Sequence, residues 1–116
     1  MLNTTETETR RVLFDAMSDA QRHLQQHGTS LCELLDAIDD PSATDPLCDL
    51  HMAFEKPFPD AADIGAALRQ IERFLACQTP SSLDRLGRER NFYAADAARW
   101  HGARVSELAA RFPHIG

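Results

Sequence analysis

At 116 residues the chain has the length of one ordinary domain, enough to bury a single core without disulfides or a structural metal. With 43% hydrophobic and 26% charged residues it reads as globular, which excludes a disordered tail or a fibrous repeat. A formal net charge of −6 argues against non-specific attraction to nucleic acid, and no apolar run reaches the roughly 20 residues of a membrane span.

The pattern is helical almost throughout. Sustained apolar/polar alternation is missing and β-branched residues are few, so no strand is predicted. Residues 1–4 are expected to be loose. A first helix is predicted from about Thr5 to His27, with Leu13, Ala16, Met17, Ala20 and Leu24 as its apolar stripe and Gly28 as its terminator. Ser30 then caps a second helix, with Glu33 completing a capping box and Leu31, Leu34, Leu35 and Ile38 facing inward. Asp40-Pro41 ends it, because the residue before proline avoids helical angles.

Asp45-Pro46 reads as a cap followed by a first-turn proline, opening a short helix with Leu47, Leu50 and Phe54. Lys56-Pro57-Phe58-Pro59 breaks the chain. Asp60 caps a strongly amphipathic helix in which Ile64, Ala67, Leu68, Ile71, Phe74 and Leu75 recur at three- and four-residue steps, ending near Gln78. Thr79-Pro80 starts a further short helix holding Leu83 and Leu86, and Gly87 and Asn91 separate it from a last helix over about Phe92 to Phe112. The expectation is an all-α, single-domain bundle of five to six helices covering residues 1–116.

The last helix carries two apolar strips. Ala95, Ala98, Gly102, Val105 and Ala109 are small, so a neighbouring helix can come close; Tyr93, Ala97, Trp100 and Leu108 lie on nearly the opposite side. Such a helix is central to the fold or shared with a partner, and the central position is favoured. In the shared case Tyr93 and Trp100 are the anchors, and a homodimer through this helix becomes possible.

Charge is unevenly spread. Residues 31–63 hold nine acids (Glu33, Asp36, Asp39, Asp40, Asp45, Asp49, Glu55, Asp60 and Asp63) against Lys56 alone. Helix starts account for Glu33, Asp45, Asp49, Asp60 and Asp63. Asp36, Asp39, Asp40 and Glu55 are left over, three of them near a helix C-terminus where the dipole disfavours them. This cluster is the expected docking surface for a basic protein partner.

Chemistry-bearing patterns are sparse. Cys48 and His51 share one helix face at Cys-x-x-His spacing, but the other cysteines, Cys32 and Cys77, stand alone, and a closed zinc site needs four ligands. The bland alternative makes the cysteines small core residues and His51 a surface residue. His23 and His27 are one turn apart and can in principle grip a transition metal, although a solvated face explains Asp15, Asp19 and His23 without any function. No metal or cofactor is assigned. Divalent-cation loops, phosphate-cradling glycine loops and a local catalytic triad find no support.

The C-terminal arginines interleave with Asp84, Glu89, Asp96 and Glu107, as a mixed solvated surface does, so no nucleic-acid partner is expected. Three sparse cysteines and no secretory leader pattern point to a reducing, cytoplasmic setting, and arginine-rich, lysine-poor usage suggests a GC-rich bacterial genome. The functional expectation is a non-enzymatic acidic binding protein of inhibitor, immunity, adaptor or secretion-chaperone type. The alternative is a metal- or thiol-based sensor or small enzyme using Cys48, His51, His23 and His27.

Overall fold

The computed structural model describes residues 4–38, 41–77, 88 and 94–112. Among these there are four helices and no strand: α1 (Thr4–Ala37), α2 (Asp45–Glu55), α3 (Ala61–Ala76) and α4 (Ala94–Ala110). The class is all-α, as expected. The helix expected at Thr79–Leu86 lies outside the described residues, as do Phe92 and Tyr93 at the expected start of the last helix.

The main departure from expectation is α1, which runs for 34 residues where two helices and a break were predicted. Gly28 does not end it. It is buried, and a Cβ there would meet only Leu24 Cδ1 at 3.5 Å, an ordinary contact. The inward stripe of Ala16, Ala20, Leu24, Leu31, Leu34 and Leu35 continues past it without a change of phase. Continuous burial on both sides outweighs the roughly 1 kcal/mol propensity cost of glycine. Ser30 and Glu33 are therefore mid-helix residues and form no capping box.

Loops follow local chemistry. Thr44, not Asp45, occupies the cap position of α2, and no side chain caps it; Asp45 sits in the first turn beside Pro46. Asp60 is a true cap of α3, accepting from the Ala62 amide at 2.8 Å. Asp63 in the first turn reaches back to Lys56 at 3.0 Å across the Pro57–Pro59 break. Ala43, in the connection before α2, is fully buried and ties that loop to the core.

Helix α3 is the hub, packing most extensively on α4 and α2, while α1 leans across all three. Its inward face is Ile64, Ala67, Leu68, Ile71 and Leu75. Helix α4 runs antiparallel to it: Gly65 faces Phe112 at one end and Leu75 faces Gly102 at the other. A Cβ on Gly65 would come within 2.9 Å of Phe112 Cβ, so glycine is what lets Phe112 seat there. Arg69 Nη2 donates to the Phe112 carbonyl at 2.9 Å and closes the same corner. Ala98, Val105 and Ala109 of the first strip of α4 are buried; on the second, Leu108 is buried and Ala97 partly so, while Trp100 is 50% exposed. The helix packs on both α3 and α1.

Candidate functional site

Two features stand out from the packed core. The first is an aromatic cluster at the α1–α4 interface. His23 and His27, one turn apart on α1, have ring centroids 5.1 Å apart. Trp100 of α4 lies 5.6 Å from His23 and 4.8 Å from His27, and His101 lies 5.7 Å from His23 and 4.8 Å from Trp100. His23 is 7% exposed and His101 1%. Sequence periodicity placed His23 on a solvated face; in the fold α4 covers it, and a helical wheel of α1 alone cannot register that neighbour.

Burial shapes the chemistry of both imidazoles. Desolvation, then the neighbouring His101, His27 and Arg104, push the His23 pKa down to about 4. Desolvation and then His27 do the same for His101, also to about 4. Both rings are therefore neutral at ordinary pH. Ser30 Oγ and His101 Nε2 share a hydrogen bond of 3.2 Å. His23 Nε2 and His101 Nδ1, both buried, have no partner among the described residues.

Next to this cluster a charged tie crosses the same interface. Arg111 Nη1 donates to Asp19 Oδ2 at 2.7 Å. Since Asp19 meets Arg111 while Ser30 meets His101, α1 and α4 run antiparallel.

The second feature is an open groove of about 540 Å³ along α1, with His51 of α2 among its lining residues. It is lined by Leu24 and Gly28, both buried, and by the exposed Gln25, Thr29, Cys32, Glu33, Asp36 and His51. Asp36, the described member of the leftover acid cluster near the α1 C-terminus, is exposed here with Glu33 one turn away. Asp39, Asp40 and Tyr93 lie outside the described residues. Glu55 is exposed at the end of α2 and is not part of the groove lining. Trp100 is half exposed and packs on the histidine side of α1, away from Asp36. The sequence-predicted docking residues are thus not one contiguous patch: Asp36 belongs to the groove and Trp100 to the histidine cluster.

The cysteines are corrected too. Cys32, Cys48 and Cys77 are all exposed, not core residues. On α2 the inward positions belong to Pro46, Leu47, Leu50 and Ala53, which turns Cys48 outward and leaves His51 beside α1. Among the described residues no group of three or more His, Cys, Asp or Glu side chains is disposed to hold a metal ion. No described helix is long and apolar enough to cross a membrane.

The residue that sequence reasoning missed is His101. Its only sequence signal was a histidine following the single tryptophan on a two-sided apolar helix. Comparison with family models, with curated proteins and with solved structures finds no match, so the site's own geometry is what a functional reading has to rest on.

Proposed function

We propose that the protein is a non-enzymatic binding protein whose acidic groove between α1 and α2 receives a basic segment of a protein partner. The observation that carries this reading is the groove itself, which is lined by Leu24 and Gly28 together with the acidic Glu33 and Asp36. A long cationic side chain matches that lining, because its methylene stem can lie on apolar surface while its head meets a carboxylate. The surrounding charge supports the same partner class, since residues 31–63 hold nine acids against one lysine. Such a field speeds encounter with a positive surface and disfavours negative ones.

The role is that of an inhibitor, immunity-type protein, adaptor or secretion chaperone, all of which act by occupying a partner. The test is affinity capture from the native host at low and at high salt, comparing the wild-type chain with a Glu33→Lys/Asp36→Lys variant. A basic protein retained at low salt, released at high salt and lost with the variant is the expected result. Equal capture by the charge-reversed variant, or no basic protein at all, rejects the reading.

A further inference from the structure

We propose that His23 and His101 form an acid-sensitive latch, which holds α1 against α4 while both imidazoles are neutral and lets the two helices part when either takes up a proton. The inference goes beyond the binding reading and does not depend on it.

The geometry supplies three reasons. Both rings sit in the interface between the two helices, His23 on α1 and His101 on α4, with centroids 5.7 Å apart. Each keeps one ring nitrogen in the interior without a partner among the described residues, His23 Nε2 and His101 Nδ1. A neutral imidazole tolerates a bare acceptor nitrogen, whereas an imidazolium has two donors to satisfy and a charge to solvate.

The third reason is the sign of the surroundings. The charged or titratable groups acting on His23 are His101 across the interface, His27 on its own helix and Arg104 on α4. The one acting on His101 is His27. Among the described residues neither set includes a carboxylate or a group on α2 or α3. Arg104 is itself held by Glu107 at 3.0 Å, on the exposed side of α4. The nearest tie, Asp19 to Arg111, engages both of its own charges. A proton arriving on either ring thus meets positive or neutral neighbours, and opening to water is the available relief.

The same interface sets how it opens. Asp19 is held below the usual carboxylate range, first by its hydrogen bond from Arg111, so the pair favours the charged carboxylate. It acts as the pivot. The Ser30–His101 hydrogen bond lies on the opening side and is lost when the helices part. His23 and His101, 7% and 1% exposed in the closed form, then meet solvent.

Trp100 is the chain's single tryptophan and packs on all three histidines, so its emission reports directly on the latch. The experiment follows Trp100 emission, helix content by circular dichroism, imidazole titration by NMR and amide exchange over residues 20–31, from about pH 8 down to about pH 4. The expected result has four parts. His23 and His101 stay neutral until well below the ordinary histidine range. They then protonate together with a change in Trp100 emission. Exchange over 20–31 accelerates about tenfold or more after correction for pH, and helix content is retained. In a His23→Gln/His101→Gln variant the transition disappears; in His27→Gln it persists.

An unchanged transition in the folded double variant overturns the proposal. Should that variant not fold at neutral pH, the wild-type titration decides alone. Protonation of either buried ring in the ordinary histidine range, with exchange over 20–31 unchanged, overturns the latch, and protonation concerted with faster exchange supports it.

Discussion

Arg111 and Asp19 stand 92 positions apart in the chain and 2.7 Å apart in the fold, joining the residue just past α4 to the middle of α1. Both side chains are about a third exposed, at 30% and 32%, so the pair is reached by water and screened by salt. Its clearest signature is protonic. Carbon-13 titration of the Asp19 carboxyl should give a midpoint below that of an ordinary aspartate, and Arg111→Gln should return it toward the ordinary value. An Asp19 midpoint that Arg111→Gln leaves unmoved would show the pair to be absent in solution.

Stability should depend on pH in the range where histidines titrate. His23 and His101 have folded pKa values lowered from 6.5 to about 4, so between those limits the unfolded chain binds more protons than the folded one. Stability is therefore complete above about pH 6.5 and lost as pH falls toward about 4. The loss is at most on the order of 3 kcal/mol per histidine, and less than twice that for the interacting pair. Urea midpoints at neutral pH and at mildly acidic pH measure it; equal midpoints would contradict the burial of both rings.

Two glycines should respond to alanine with opposite signs. At Gly28 a Cβ meets Leu24 Cδ1 at 3.5 Å, and removing glycine from a helix interior should stabilise by up to about 1 kcal/mol. At Gly65 the Cβ would stand 2.9 Å from Phe112 Cβ and 3.2 Å from Arg69 Nη1, so overpacking should cost about 1–3 kcal/mol. Thermal melts of the two single variants check both. A destabilised Gly28→Ala protein would mean that α1 breaks where its sequence suggests.

Burial predicts which apolar side chains matter. Leu108 is fully buried, and Leu108→Ala should cost about 2–5 kcal/mol; Phe14, 69% exposed on α1, should change stability by less than about 0.5 kcal/mol when replaced by Ala. Denaturant unfolding of both variants distinguishes this from a fold in which the α1 N-terminal turns are covered.

All three cysteines should react with a thiol reagent in the native protein at rates near those of the unfolded chain, since each is exposed. Protection of Cys48 together with His51 by added zinc would instead revive the metal pair.

Local chemistry explains what could be read in advance. The Pro57–Pro59 break, the Asp60 cap and the phase of Ile64, Ala67, Leu68 and Ile71 are interactions within a few residues, and they stand where expected. Gly28 misled because its cost is local while its compensation is not: Leu24 and Leu31 pack against other helices, which a single strip of sequence does not contain. The histidine cluster was illegible for the same reason. His23 and His101 are 78 positions apart, and each looks ordinary on its own helix; only the antiparallel docking of α1 on α4 makes them neighbours.

The unbroken course of α1 has a mechanical consequence. Residues 8–12 are exposed, and among the described residues of α1 the first fully buried side chain is Ala16. From the Asp19 pivot back to Thr4 is about 22 Å of helix at the usual rise. A tilt of about 10° at that pivot therefore sweeps the start of the helix through about 4 Å. A break at Gly28 would have confined such a tilt to one half of the helix. Without the break, α1 is a lever: a proton's worth of movement near its centre is transmitted to the exposed Val12 and Phe14 at one end and to the acidic Glu33 and Asp36 at the other.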